Sequence, residues 1–213
     1  MITNNKILPT LGLLLVSTLS FSQTVSSVRD LQSALDDATA GTTITIQNGT
    51  YTDADLEIDA KGTQANPIII QAETPGEVIF EDDSRIKMGG EYITLTGVVF
   101  TGTYSLNDSG AESYVVAFSN DGSECNNCKL TQIQIDDYNP RDEDDDLRWV
   151  HVYGQDNEIS YNTFINKKSI GSMLFNQRSN GIEDRMKIHH NYFAYREQAV
   201  SYTHLTLPTI CSV

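Results

Sequence analysis

The chain has 213 residues, enough for one domain with a substantial core, and its formal net charge is -15 at pH 7. This acidic balance argues against a nucleic-acid partner, because proteins that bind nucleic acids depend on basic surfaces. Residues 147–196, however, hold more basic than acidic side chains, so a local surface for an anionic polymer is possible, with ordinary scatter of surface charge as the alternative.

Residues 1–22 have the layout of a secretory signal peptide. An apolar run, Leu11–Leu19, is followed by Ser20 and Ser22 at the minus-three and minus-one positions of a cleavage site before Gln23. The run is shorter than the ~20 residues that a membrane span needs. We therefore predict a protein that is secreted or periplasmic and has no membrane attachment after cleavage.

One short amphipathic helix is predicted over Val28–Ala38, in the segment SSVRDLQSALDDA. Its apolar residues recur at spacings of three and four, and Ser26 or Ser27 is placed to cap its N-terminus. From Thr42 onward the helical period disappears, and short β-rich runs follow, each bounded by Gly, Asn, Asp or Pro. The runs are TTITIQ, PIIIQAE, EVIFED, YITLTGVVF, YVVAFSN, KLTQIQI, RWVHVYG, EISYNTF, GSMLFNQ and MKIHHNYF.

A sequence repeat distinguishes among the architectures that such short strands allow. Aligning the runs on their closing apolar residues gives spacings of 35, 29 and 29 residues between Phe100, Ile135, Phe164 and Phe193. In a parallel β-helix equivalent positions of successive coils stack directly, so these side chains would form the interior. A hairpin architecture predicts no such period.

The turns support the same interpretation. Asn162 and Asn191 occupy equivalent positions of the last two coils, where stacked Asn side chains can hydrogen-bond to each other and to the backbone of the bend. We therefore predict an all-β fold, a right-handed parallel β-helix of the pectin-lyase-like solenoid type, with the short helix as its N-terminal cap. A β-sandwich is the alternative.

Three features that suggest ligand sites have plainer interpretations. Cys125 and Cys128 form an isolated CNNC without the further ligands of a zinc site, so we predict two buried free cysteines, with a local disulfide as the alternative. The acidic run within Arg141–Arg148 lacks the Gly and the spacing of a calcium loop, and we predict a solvated loop between coils. His189 and His190 are adjacent on a strand, should face opposite sides, and so cannot share a metal.

Several segments together carry a family resemblance. TTITIQNGTY, GTQANPIIIQAETPGEVIFED and GGEYITLTGVVF resemble the opening coils of the chondroitinase-B-like polysaccharide lyases, polysaccharide lyase family 6, which are mostly alginate lyases. NTFINKKSIGSMLF is similar to the family's Asn-x-Phe-x-x-Lys-x-x-x-Gly-x-x-Leu segment. KIHHNYF is similar to its Arg-hydrophobic-Asp-His-Asn-aromatic-Phe coil, with His189 where Asp is usual. The resemblance covers roughly Thr42 to Arg196.

The resemblance implies β-elimination on a uronic-acid polysaccharide, with alginate favoured over chondroitin or dermatan sulfate. In the family a calcium ion, held by an Asn and two Glu, neutralises the sugar carboxylate, and a Lys and an Arg assist the proton transfers. Those residues lie in coils that follow the one equivalent to KIHHNYF, and their motifs are not in this sequence. We therefore expect no catalytic residue, no bound calcium and no lyase activity in this chain.

The resemblance also suggests where an acidic polysaccharide would bind. Lys167 matches the Lys of the family segment, and we expect Lys167, Arg178 and Arg196 to face a common groove and to bind sugar carboxylates. The alternative is that Lys167 is an ordinary solvated lysine in a turn. The full-length parent is expected to be a monomer that binds calcium.

The last residues, AVSYTHLTLPTICSV, fit neither the turns nor the coil register upstream and resemble translated sequencing-adapter DNA. We expect a β-helix truncated at its C-terminal end, with a signal peptide at 1–22, the N-terminal coils of the β-helix domain at 23–199 and a non-native tail at 200–213. A genuine C-terminal cap is the alternative.

Three functions are compatible with this sequence. The first is the N-terminal fragment of a secreted polysaccharide lyase. The second is a non-catalytic β-helix that binds acidic glycans or serves as an adhesin module. The third, a pectinase-type glycoside hydrolase, is the weakest, because it needs an Asp cluster on one strand face and the Asp-rich runs here fall in loops.

Overall fold

The computed structural model describes residues 21–105, 113–177 and 183–196, and short β-strands make up most of them. One helix is present in these ranges, α1 at Val28–Asp36. In chain order the strands are β1 Ser22–Val25, β2 Thr43–Ile46, β3 Gly49–Thr52, β4 Asp55–Lys61, β5 Ile68–Ala72, β6 Val78–Glu81, β7 Arg85–Glu91, β8 Ile93–Thr96, β9 Val98–Tyr104, β10 Ser113–Ala117, β11 Ser119–Asn120, β12 Ser123–Asn126, β13 Lys129–Thr131, β14 Gln134–Pro140, β15 Leu147–Val152, β16 Glu158–Ser160, β17 Thr163–Lys167, β18 Leu174–Asn176, β19 Lys187–His189 and β20 Tyr192–Arg196.

The strands form three sheets that the chain visits in turn. Sheet A has the order β1-β2-β5-β8-β13-β16-β19, and sheet B has the order β3-β6-β9-β14-β17-β20. Sheet C contains β4, β7, β10, β12, β15 and β18. Within each sheet, neighbouring strands come from successive coils and pair in parallel. This arrangement confirms the predicted parallel β-helix.

At one point the chain departs from the regular succession of the three sheets. Strands β11 and β12 form a small antiparallel hairpin after β10. Both β10 and β12 pair with β7, through Val116 opposite Ile86 and Cys125 opposite Gly90. The hairpin therefore widens one coil without breaking the stack of sheet C.

The interior consists of side chains that stack from coil to coil. In sheet B the registered column is Tyr51, Phe80, Phe100, Ile135, Phe164 and Phe193, which confirms the predicted alignment of its last four members. The Phe80 and Phe100 rings lie 5.2 Å apart. Because side chains alternate along a strand, the residues between these inward positions face outward. At the last described coil Ile188 is half-buried and Phe193 is 40% exposed.

Helix α1 covers the first coils. The side chain of Ser27 accepts a hydrogen bond from the Asp30 amide, so Ser27 is the N-cap. The helix buries Leu31 and Leu35, and the Gln32 side chain exchanges two hydrogen bonds with the backbone of Glu57. The predicted capping helix is thus present and ends at Asp36 rather than Ala38. The predicted apolar run Leu11–Leu19 lies outside the described residues. Among the described residues, no helix is long and apolar enough to cross a membrane.

The prediction for the cysteines is wrong. Cys125 and Cys128 are both buried, but they are joined by a disulfide, with their Cα atoms 5.9 Å apart. Asn127 adopts a left-handed conformation, with φ of 56°, and the resulting tight turn brings the two cysteines together. The local disulfide that was the alternative interpretation is therefore what the fold contains.

The prediction for the two histidines is also wrong. His190 has φ of 55°, so strand alternation stops at His189, the last residue of β19. As a result the Nδ1 atoms of His189 and His190 lie 2.8 Å apart rather than on opposite faces. The acidic run between β14 and β15, by contrast, is mostly exposed, as predicted for a solvated loop.

Candidate functional site

The structure places Lys167 differently from the prediction. Lys167 is 0% exposed, and its Nζ donates to the Leu147 carbonyl over 2.8 Å and to Ser169 Oγ over 2.7 Å. The cause is Asn166, whose left-handed φ of 61° reverses the alternation of β17 and turns the next side chain inward. The expectation that Lys167 faces a groove is therefore wrong, and so is the alternative of a solvated lysine.

The structure does not describe the side chains of the other two predicted groove residues, Arg178 and Arg196. Arg178 lies outside the described residues. Arg196 ends β20, where its backbone is in register with Lys167, but its side chain is outside the described part of the structure. The proposed groove of Lys167, Arg178 and Arg196 therefore has one described side chain, and that one is buried.

A different group of side chains gathers on the outer face of sheet C. Along this face Lys87, Ala117, His151 and Phe175 are in register from coil to coil. Aromatic and polar side chains surround His151 and Phe175. We define this sheet C cluster as Tyr114, Arg148, His151, Tyr153, Phe175 and Gln177.

His151 is the centre of the sheet C cluster. Its ring is fully buried, and the ring centroids of Tyr153, Phe175 and Tyr114 lie 4.3, 4.9 and 5.9 Å away. Its Nε2 is 3.1 Å from Gln177 Oε1, and the Tyr153 hydroxyl donates to the same oxygen over 3.0 Å. Because an amide oxygen can only accept, this contact assigns the proton of a neutral His151 to Nε2.

Arg148 supplies the positive charge of the cluster. Its Cζ lies 4.1 Å from the centre of the Phe175 ring, and its side chain is only 15% exposed. Asp146 Oδ2 lies 3.7 Å from its Nη2, at the distance of an ion pair. Stacking on an aromatic ring fixes the plane of a guanidinium, the group whose fork of donors matches a carboxylate.

In the first coils, the cations on the same face of sheet C pair with carboxylates. There Arg85 makes two hydrogen bonds to Asp55, at 2.7 and 2.8 Å, and Lys87 contacts Glu57. The hydrogen bonds from Arg85 hold the pKa of Asp55 below its ordinary value, against a smaller opposing effect of burial. These cations are therefore matched by carboxylates of the neighbouring coil.

A polar cleft lies at the corner between sheets B and C. This polar cleft has a volume of about 390 Å³, and its lining includes Asp137, Arg141, Glu143 and Lys168. Lys168 forms a 2.7 Å ion pair with Asp137. Two cations and two carboxylates share the cleft, so its charge does not favour an anion.

The described residues do not form a site for the calcium ion that the family resemblance implies. Within the described ranges, no group of three or more His, Cys, Asp or Glu side chains converges as metal ligands would. No catalytic step is therefore assigned to a metal held by these residues.

The cluster had a signal in the sequence that the motif-based prediction did not use. RWVHVYG and GSMLFNQ contribute five of its six members, in two successive coils. Aromatic and cationic residues at outward positions of adjacent coils form a shared surface, but the outward positions are known only after the register of sheet C is fixed.

Comparisons with known proteins agree with the fold. A family model described as Chondroitinase B matches residues 25–203. The chain is similar to a PL6 family alginate lyase, AlyGC, with 28% identity and a TM-score of 0.72, over 82% of this chain and 24% of that one. It is also similar to a mannuronic acid specific polysaccharide family 6 lyase from human gut microbiota, with 25% identity and a TM-score of 0.74, over 81% and 40%.

A PL6 alginate lyase solved in complex with a trisaccharide shares the fold, with 22% identity and a TM-score of 0.64, over 84% of this chain and 37% of that one. No curated protein matches the chain. The chain thus spans 24%, 40% and 37% of the length of these three solved structures.

Proposed function

Because the chain belongs to the Chondroitinase B family, whose model matches residues 25–203, we propose that it contributes a glycan-binding β-helix to a lyase of uronic-acid polysaccharides. Alginate is the favoured substrate, with chondroitin or dermatan sulfate second. The reaction would be β-elimination, in which the proton on C5 beside the sugar carboxylate is removed and the glycosidic oxygen leaves.

The observation that carries this proposal is the guanidinium of Arg148 stacked on Phe175, on the outer face of sheet C. A uronate presents a carboxylate, hydroxyl groups and an apolar ring face. Arg148 suits the carboxylate, Gln177 and Tyr153 have polar groups for hydroxyls, and the aromatic rings suit the sugar face. The similarity to alginate lyases supports the same substrate class.

The role proposed for these residues is binding, not chemistry. β-Elimination needs a cation at the carboxylate, a base for the C5 proton and a group that protonates the leaving oxygen. Arg148 would meet the first need only for a sugar bound at the sheet C cluster. We assign the base, the acid and the calcium site to no residue of this chain, and we expect the chain alone to release no unsaturated products.

A non-catalytic glycan-binding or adhesin module is the second candidate. The observation in its favour is that the described residues place Arg148 against Phe175 on sheet C, whereas no group of metal-ligating side chains converges among them. Both candidates require glycan binding at sheet C. They differ in whether a longer protein with the same coils forms unsaturated uronic ends.

We also propose that the protein is exported, as the predicted signal peptide suggests. The buried disulfide between Cys125 and Cys128 supports this, because disulfides persist in oxidising compartments outside the cytosol. Mass spectrometry of the mature N-terminus tests it. Cleavage before Gln23 is expected, whereas an intact Met1 in the cell fraction would contradict export.

The binding proposal is tested by calorimetric titration of the full chain with oligomannuronate, oligoguluronate and dermatan sulfate oligosaccharides. Arg148→Gln should weaken uronate binding about tenfold or more, because a charge-assisted hydrogen bond contributes roughly 1.5–3 kcal/mol. Arg29→Gln, an exposed arginine on α1, is the matched control and should bind like the wild type. Absence of binding to all three glycans, or wild-type affinity in Arg148→Gln, would overturn the proposal.

A further inference from the structure

Lys167 is a lysine fully buried inside the solenoid. Its ammonium group donates to the carbonyl of Leu147 and to Ser169 Oγ, and it lies 5.3 Å from the centre of the Trp149 ring. A buried ammonium group is costly unless such partners compensate for the lost water. A methionine at this position would fill a similar volume without that cost, so the charge calls for an explanation.

The contacts of Lys167 fall on both neighbours of Arg148. Leu147 and Trp149 flank Arg148 on β15, and the Trp149 indole is fixed further by its Nε1, which donates to the Tyr138 carbonyl over 2.7 Å. The ammonium group thus holds the backbone on one side of Arg148 and lies over the aromatic ring on the other. Lys167 itself is too deeply buried to touch a glycan.

Gly171, in the same coil, packs closely against this segment. Gly171 has φ of 88°, and a Cβ atom added to it would lie 2.3 Å from Asp146 Oδ1 and 2.7 Å from the Leu147 carbonyl oxygen. Only glycine allows this approach at low cost. The following coil therefore contacts the two residues before Arg148 through the Lys167 hydrogen bond and through the close approach of Gly171.

We propose that Lys167 is a positioning residue for glycan binding, which acts by fixing the segment Leu147–Trp149 and thereby the stacking of Arg148 on Phe175. The inference rests on the proposed function and extends it to a buried side chain that never meets the ligand. If Leu147 loses its donor, its carbonyl is free to turn, and Arg148 leaves the strand in a different direction. The surface cluster then loses its fixed cation although none of its own side chains has changed.

The first test is spectroscopic and needs no ligand. In the wild type the ring current of Phe175 should displace the Arg148 Nε–Hε resonance from the position of exposed arginines. Lys167→Met should move that resonance toward the exposed position, while Arg29 keeps its own. An unchanged Arg148 resonance in a folded Lys167→Met protein would overturn the proposal, whether or not the chain binds glycan.

The second test is a double-mutant cycle on affinity for oligomannuronate, with Lys167→Met, Arg148→Gln and the double variant. Lys167→Met should weaken binding about three- to tenfold in the wild-type background and should have no further effect on Arg148→Gln, because the two residues act as one unit. Equal losses in both backgrounds would show that Lys167 acts independently of Arg148. Wild-type protein that binds no glycan would instead reject the proposed function, and the resonance test would still decide the positioning role.

If Lys167→Met does not give a cooperative unfolding transition, Ser169→Ala replaces it in both tests. This variant removes one acceptor of the ammonium group and leaves the lysine in place. We expect the same displacement of the Arg148 resonance, smaller in size, and about a twofold loss of affinity that disappears in the Arg148→Gln background. No displacement, or a loss that persists without Arg148, would overturn the proposal.

Discussion

The side-chain amide of Asn162 donates to Oδ1 of Asn191, one coil further along the solenoid, over 3.0 Å. The same side chain accepts from the Ile133 amide over 3.0 Å and donates to the Leu130 carbonyl over 3.0 Å. One carboxamide therefore bridges three successive coils at the corner between sheets A and B. This confirms the predicted stacking of Asn162 over Asn191.

Replacing this asparagine should be severe. Asn162→Ala leaves the Ile133 amide and the Leu130 carbonyl without their partner in a buried corner, and each such group costs about 1–3 kcal/mol. We expect the free energy of unfolding, measured by urea titration, to fall by roughly 2–4 kcal/mol. Asn48→Ala is the control, because Asn48 also bridges two coils but is exposed. Equal losses in the two variants would contradict this account of the corner.

The aromatic column of sheet B should show a gradient of stability. Phe100 is 1% exposed between Phe80 and Ile135, so Phe100→Ala should lower the free energy of unfolding by about 3–5 kcal/mol. Phe193 is 40% exposed, and Phe193→Ala should cost less than half as much. Chemical denaturation of the two variants measures the difference. A larger loss for Phe193→Ala than for Phe100→Ala would contradict this gradient, because the more exposed ring would then contribute more to stability.

The disulfide gives a third prediction. Replacing Cys125 and Cys128 with alanine opens a very short loop, and chain entropy predicts a loss of roughly 2 kcal/mol of unfolding free energy. Alkylation of the unreduced, denatured wild type should leave both cysteines unmodified, as peptide mass spectrometry would show. Modification of either residue before reduction would contradict the bond, and a stability unchanged by the double substitution would contradict its contribution.

The pair of Arg85 and Asp55 predicts a pH dependence. Its hydrogen bonds hold the pKa of Asp55 below the ordinary 3.8, so the folded state gains stability above the unfolded pKa. That gain is lost as the pH falls through the lower folded pKa. Arg85→Gln should therefore lower the melting temperature at pH 7, in line with about 0.2–1 kcal/mol for an exposed pair, and the difference should shrink as the pH falls below 3.8.

The control for this pH effect is Arg29→Gln, which removes an exposed arginine on α1. Its melting temperature should follow that of the wild type at every pH. A destabilisation by Arg85→Gln that is the same at pH 7 and at pH 3 would show that the pair acts through packing rather than through charge.

Much of the architecture follows from the sequence because a coil is a physical repeat. The spacing of 29 residues between Ile135, Phe164 and Phe193 is the length of one coil, and directly stacked coils must present matching side chains. Strand β4 was not predicted, since DLEIDAK is charged at its outward positions and has only a few apolar residues. The hairpin of β11 and β12 was not predicted either, because it departs from the repeat.

The site is harder to predict because left-handed residues change which way the next side chain points. Lys167 matches a family motif, yet Asn166 turns it into the interior, and no periodicity in the sequence reports that reversal. The same effect at His190 brings its ring to His189. Arg148 and Phe175 lie 27 residues apart in the sequence, and only the register of sheet C brings them together.

The central claim is that the outer face of sheet C binds uronate glycans. The most direct measurement is an NMR titration of the full isotope-labelled chain with oligomannuronate, followed at every assigned amide and at the Arg148 side chain. We predict that the shifts concentrate on Arg148, Phe175 and Gln177, with the amides of sheet A unchanged. Shifts confined to sheet A, or to the polar cleft around Lys168, with none at Arg148, would contradict the account.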